Sequence, residues 1–163
     1  LALEGDYLEC GTYKGHTAWH VLKECNLSKS DKRLWLYDLF EWKPGDEHTK
    51  LDEHSNELMH EGVVARFAEH PNVTVIKGSV PESFSKGFPD SIAFCHIDMN
   101  HPAPEAGALK AVLPKLVKGG IVIFDDYGWW GYSAQKSVLD PIAKSFEQEI
   151  LELPTGQGLL IKR

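Results

Sequence analysis

Short apolar runs alternate with amphipathic stretches along the whole chain, and that alternation leaves few folds open. "DYLEC" (6–10), "RLWLYDLF" (33–40), "NVTVIKGS" (72–79), "SIAFCHIDM" (91–99) and "IVIFDD" (121–126) read as strands. Helices are expected over Lys14–Glu24, over 48–69, over "APEAGALKAVLPKLVKG" (103–119) and over 131–147. The second of these is an exposed helix, with Leu51, Leu58, Val63, Val64 and Phe67 set among many charges. Pro114 predicts a kink late in the third, which Gly119 and Gly120 end. The strands are almost wholly apolar, which argues for a parallel sheet with helices on both faces. "EILELP" (149–154) and "GQGLLIKR" (156–163) have only the Pro154–Gly158 turn between them, so the last strand is expected to run antiparallel. With 163 residues, the chain reads as one α/β domain over 1–163.

Charge and composition exclude several function classes. A net charge of −7 argues against a broad nucleic-acid surface. No apolar run approaches the ~20 residues of a membrane span. No signal peptide opens the sequence, which predicts a cytoplasmic protein. Leu1 is not a natural start, and an N-terminal piece is expected to precede it. Cys10 and Cys95 sit in strand-like runs and read as small core residues; with Cys25 they show no metal-ligand spacing.

In parallel sheets ligands bind beyond the carboxyl ends of the strands. Five strands send acids or glycines there: Glu9, Gly11 and Gly15 from the first, Asp38 from the second, and Gly78 and Ser79 from the third. The fourth adds Asp98 and Asn100, and the fifth Asp125 and Asp126. Gly11 allows a close backbone approach to a ligand, and Gly15 lets the next helix start against it. Tyr13 stands where a dinucleotide fingerprint needs its middle glycine, so pyrophosphate fits poorly. An acid ending the second strand suits a ribose diol. The pattern therefore points to a nucleoside-containing ligand without pyrophosphate.

"GDYLECGTYKGHTA", "LYDLFEW", "HIDMN" and "GGIVIFDDYGWWGY" together resemble the class I S-adenosylmethionine-dependent methyltransferases. More narrowly, they resemble the macrocin-type sugar O-methyltransferases, and the resemblance spans nearly the whole chain. It implies a Rossmann-like, seven-stranded, mostly parallel sheet with a C-terminal antiparallel hairpin. It also implies that Glu9, Gly11, Tyr13 and Gly15 surround the methionine part of the cofactor, that Asp38 holds the ribose, and that Ser79 and Val80 edge the adenine. The family binds a divalent metal at the ends of the fourth and fifth strands. Asp98, with Asp125 and Asp126 at 27 and 28 positions beyond it, matches those ligands. Three converging carboxylates repel one another, and Mg²⁺, a hard cation with a preference for oxygen, relieves that repulsion.

The implied reaction is methyl transfer to a hydroxyl of a small acceptor such as a sugar, with Asp98 at its centre. His101, in the following loop, is the preferred general base and His96 the second choice. Trp129, Trp130 and Tyr132 suit the apolar side of an acceptor, and Trp42 with "EWKPGDEH" (41–48) would form part of its wall. "LPTGQG" (153–158) reads as the hairpin turn, from which Gln157 could touch the loop of acids. The sequence departs from the macrocin pattern at Asn100 and His101, where an acid and a tyrosine are usual. Relatives often carry N-terminal helices that build a dimer, so a homodimer is expected. The rival readings are a nucleotide-linked oxidoreductase, which needs a third glycine at Tyr13 or His16, and a non-catalytic S-adenosylmethionine-binding module, which predicts loss of the acidic trio.

Overall fold

The computed structural model describes residues 3–41 and 58–163. Its elements run β1 (Asp6–Cys10), α1 (His16–Glu24), β2 (Leu34–Asp38), α2 (Met59–Arg66), β3 (Val73–Lys77) and β4 (Ile92–Ile97). They continue with α3 (Pro102–Val112), β5 (Leu116–Phe124), α4 (Ser133–Ser145), β6 (Leu151–Glu152) and β7 (Gly158–Ile161). All seven strands join one sheet in the order β3-β2-β1-β4-β5-β7-β6. The first five pair in parallel. β7 runs antiparallel between β5 and β6, as the helix-free hairpin predicts.

The apolar character of the strands is explained by burial on both faces. On one face Ala18, Leu22, Leu34, Leu36, Phe40, Val63 and Phe67 form a cluster that joins α1 and α2 to β2. On the other, Leu8, Cys10, Tyr37, Ile97, Leu109, Val122, Phe124 and Leu139 join α3 and α4 to the central strands. Leu36 and Tyr37 are adjacent and fully buried on opposite faces, as the two-residue period of a strand requires. Cys10 and Cys95 are both buried core residues, while Cys25 is exposed.

One expected boundary is corrected. The helix over 103–119 stops at Val112, Pro114 lies beyond it, and Gly119 and Gly120 fall inside β5. Proline lacks the N–H that would continue the helical ladder, so the chain leaves the helix rather than bending it. Gly119, at φ 78°, then lets β5 bulge: its register against β4 shifts between the Ile92 and Phe94 pairings. Of the helix expected over 48–69, Met59–Arg66 is helical. Residues 48–57, Leu51 included, lie outside the described residues, as do Trp42 and the stretch 43–47 after it.

Candidate functional site

Four main-chain hydrogen bonds sew the strand ends together in sheet order. Gly78 N donates to Asp38 O (2.9 Å), Gly11 N to Tyr37 O (2.9 Å), Asp98 N to Cys10 O (2.8 Å) and Asp125 N to Ile97 O (2.9 Å). Each bond extends a parallel ladder one residue past its strand. The tips of β3, β2, β1, β4 and β5 therefore form one continuous rim, carrying Gly78, Asp38, Gly11, Asp98 and Asp125 in that order.

Gly11 is required where it stands. It has φ 92°, and a Cβ there would lie 1.7 Å from the Asp98 carbonyl oxygen. The two turns thus touch backbone to backbone, which only glycine permits. Asp38 fixes the neighbouring turns. Its Oδ2 accepts from Tyr13 N at 2.7 Å and its Oδ1 from Phe40 N at 2.6 Å. Burial raises its carboxyl, and these amides offset only part of that rise. Tyr13 itself is left-handed at φ 49°, and Gly15 N closes the turn onto Thr12 O at 2.8 Å. Gly15 then precedes α1 at φ 74°.

Beneath this turn lies a buried pair. Glu9 and His96 are register partners across β1 and β4, with Oε1 and Nδ1 3.1 Å apart. Burial raises the Glu9 carboxyl, and His96 partly offsets that. Burial pulls the His96 ring down, yet the surrounding acids Glu9, Asp98 and Asp125 leave it above the ordinary imidazole range. The second Glu9 oxygen is buried and has no partner among the described residues. An orphaned carboxylate oxygen at the floor of a rim is an unmet demand for a donor.

At the other end of the rim, Asp98 is pushed up to about 7, chiefly by burial and then by the negative charge of Asp125, with Asp126 contributing less. Asn100 Nδ2 lies 3.3 Å from Asp98 Oδ1, and Gln157 Nε2 donates to Asp125 Oδ1 at 3.0 Å. Among the described residues no group of three His, Cys, Asp or Glu side chains closes into a metal-ligating cluster. Asp126 occupies a left-handed turn at φ 53°. The expected trio is therefore brought to two adjacent strand tips, Asp98 after β4 and Asp125 and Asp126 after β5, but not as a closed three-carboxylate shell. The Asp98–Asp125 pair by itself suits a hard divalent cation, because Mg²⁺ is usually held by one or two carboxylates and several waters.

His101 is exposed and caps α3, its Nδ1 accepting from Ala103 N at 3.3 Å. Ser79 is exposed at the rim, and its carbonyl accepts from Ser83 N at 2.7 Å. Val80 beside it is buried. Trp129 and Trp130 are 53% and 88% exposed beyond the acids. The hairpin turn rises to meet them: Gly128 N donates to Gly156 O (2.7 Å), and a Cβ on Gly156 would come within 2.7 Å of Trp129 Cδ1. With the Gln157 contact, the β6–β7 turn is thus part of the wall around Asp125.

Sequence reasoning missed Glu105 and Gln135. Both are buried, and Glu105 Oε1 accepts from Gln135 Nε2 (2.8 Å) and Met99 N (3.3 Å), behind the Asp98 loop. Neither position carries a distinguishing signal in the sequence, because a lone polar residue on a helix reads as facing water. Two cavities lie away from the rim. One of about 710 Å³ opens at the amino ends of the strands beside Asp6, Arg33, Trp35 and Asp90, and one of about 320 Å³ lies beside α4 and β6. Neither receives the strand tips.

The model of the methyltransferase-domain family matches residues 8–127, from β1 through the acidic pair. The chain belongs to this methyltransferase family. No curated protein matches it in sequence. Solved structures share the fold of this methyltransferase. The O-methyltransferase NovP superposes with a TM-score of 0.75 at 20% identity, over 98% of this chain and 72% of that one. The calicheamicin methyltransferase CalS11 does so with a TM-score of 0.74 at 16% identity, over 98% and 72%. The methyltransferase PaMTH1 of Podospora anserina, solved with S-adenosylhomocysteine bound, gives 0.64 at 16% identity over 96% and 70%. The expected seven-stranded methyltransferase sheet is thereby established. Among the described residues no helix is long and apolar enough to cross a membrane.

Proposed function

We propose that this methyltransferase transfers the methyl group of S-adenosylmethionine to a hydroxyl of a small acceptor, a sugar or sugar-containing metabolite. The observation that carries the reading is the sewn rim. It lines up an orphaned buried carboxylate oxygen on Glu9, a glycine in backbone contact with Asp98, an acid at the tip of β2 and a crowded pair of aspartates. Two neighbours add weight: the structures of NovP, an O-methyltransferase, and of CalS11, described as a TDP-rhamnose 3'-O-methyltransferase.

In this reading the free Glu9 oxygen accepts from the cofactor's ammonium, and Gly11, Tyr13 and Gly15 shape the methionine end. Asp38, braced by the Tyr13 and Phe40 amides, offers its remaining lone pairs to a ribose diol. Ser79 and Val80 edge the base. The acceptor hydroxyl lies by Asp98. The acceptor oxygen forms a bond to the methyl carbon as the sulfonium C–S bond breaks; S-adenosylhomocysteine leaves, and the hydroxyl proton passes to Asp98 or solvent. Positioning dominates such a transfer, because the sulfonium is already a good leaving group. Mg²⁺, held by Asp98 and Asp125 with Asp126 nearby, would neutralise the crowded acids and acidify the acceptor hydroxyl. His101 fits the base role less well than Asp98, since its Nδ1 is committed to the α3 cap. The exposed faces of Trp129 and Trp130 suit the C–H side of a sugar ring.

Ligand-induced stabilisation tests the cofactor. S-adenosylhomocysteine at 100 times its dissociation constant should raise folding stability by roughly 2.7 kcal/mol, and NAD should leave it unchanged. A melting shift with NAD and none with S-adenosylhomocysteine would overturn the assignment in favour of an oxidoreductase.

A further inference from the structure

Glu105 is wholly buried in the first turn of α3, yet nothing in the reaction above uses it. One of its oxygens, Oε1, ties three elements together. It accepts from the Met99 amide at 3.3 Å, in the loop directly after Asp98, and from Gln135 Nε2 at 2.8 Å, on α4. Its other oxygen, Oε2, and the Oε1 of Gln135 are both buried without partners among the described residues. Two acceptors are thus unmet on two side chains that already share a hydrogen bond. A single proton on Glu105 Oε2 turns one of them into a donor, which can then meet the other as an acid and a primary amide do in a reciprocal pair.

We propose that Glu105 and Gln135 form a neutral acid–amide clasp that locks the Asp98 loop to α4, making Glu105 a positioning residue for methyl transfer. The inference rests on the methyl-transfer reading of the rim. The environment supports the neutral form. Burial, then the charge of Asp98, push the Glu105 carboxyl up to about 8, against the pull of the Met99 and Asn100 amides and Gln135. The titratable groups coupled to it are Asp98, beyond β4, and the buried Cys10 thiol on β1. The Asp98 charge opposes a charge on Glu105, while the Cys10 thiol, itself pushed up by burial, stays neutral. An ionised Glu105 could not donate to Gln135, and it would set another negative charge behind the crowded aspartates. The clasp reaches Asp98 through one peptide, because Met99 N follows the Asp98 carbonyl that touches Gly11.

Glu105→Gln is the deciding variant, because a glutamine keeps the shape and supplies the N–H that the acid's O–H would. It should turn over within about three-fold of the parent. Glu105→Ala should lose about 10–100-fold in kcat, with little change in S-adenosylhomocysteine affinity measured by calorimetry, because the loop is displaced and the Glu9–Gly15 turn is not. Gln135→Met should show the same split. The clasp is refuted if Glu105→Gln is as impaired as Glu105→Ala, which would mean that a charge is needed. It is equally refuted if Glu105→Ala melts lower but keeps its kcat, which would make the pair mere core. A parent chain that binds no S-adenosylhomocysteine sinks the methyltransferase chemistry alone. The clasp is then judged on unfolding against pH. A carboxyl raised from its ordinary 4.5 to about 8 makes the parent lose stability as pH rises through that interval. Glu105→Gln should remove the Glu105 share of that loss and leave the share due to Asp98; an unchanged pH profile counts against the clasp.

Discussion

Asp98→Asn should slow methyl transfer by orders of magnitude and, in the presence of a chelator, make the folded chain harder to unfold at pH 8. Both effects have one origin. Asp98 is held at the rim by the Cys10 carbonyl, mostly buried, beside Asp125. Its carboxyl is pushed from an ordinary 3.8 to about 7. The sign follows from proton counting. Between about pH 4 and 7 the folded chain keeps a proton on Asp98 that the unfolded chain has released, so stability falls as pH rises through that window. Above it the whole penalty is present, on the order of 2–4 kcal/mol after allowing for residual solvent. Asparagine has the same shape and no charge, so it escapes the penalty. Urea unfolding with chelator should show parent and variant nearly equal at pH 4, and the variant more stable by about 2 kcal/mol or more at pH 8. Methyl transfer should drop about 10²–10⁴-fold, the range for losing a group that manages the reacting proton. A variant that turns over normally would remove Asp98 from the chemistry; one no more stable at pH 8 would show that the acids are not crowded.

That trade between stability and activity accounts for how much was legible beforehand. The strand order and the rim could be read because burial on both sheet faces leaves a long apolar signature, and the residues that end each run must lie at the sheet's edge. Asp38, Asp98 and Asp125 were found this way, each being a charge placed where an apolar run stops. The end of α3 could not be read so well. "LPKLVKGG" offers both a proline and a glycine pair as a stop, and only packing against β4 decides that Leu116 is already strand. Glu105 and Gln135 were hidden for another reason. They lie 30 residues apart, and on a helix an isolated polar residue looks the same whether it faces water or a buried partner. The double use of His101 and Asp38, as possible chemistry and as hydrogen-bonded braces for turns, is likewise a matter of distance rather than of sequence.

Gly11→Ala should be the most damaging single change at the cofactor end, and it separates the rim from any one functional group. The substitution adds one methyl, yet its carbon would stand 1.7 Å from the Asp98 carbonyl oxygen, an atom of the main chain that no rotamer change can move. The φ of 92° adds a second cost, because alanine is strained there. Either the turn from Gly11 to Gly15 or the loop after β4 must retreat by more than an ångström. Retreat of the first breaks the Gly11 N to Tyr37 O and Tyr13 N to Asp38 contacts; retreat of the second breaks Asp98 N to Cys10 O. We expect a loss of about 3 kcal/mol or more in unfolding free energy, at the upper end for a single substitution. We also expect S-adenosylhomocysteine affinity to fall beyond detection even at low temperature, where the variant is still folded. Circular dichroism and calorimetry on the same sample distinguish the two losses. A folded Gly11→Ala chain that binds S-adenosylhomocysteine like its parent would mean that the β1 turn is not where the cofactor sits. The contact between Gly11 and Asp98 would then be a feature of the fold alone.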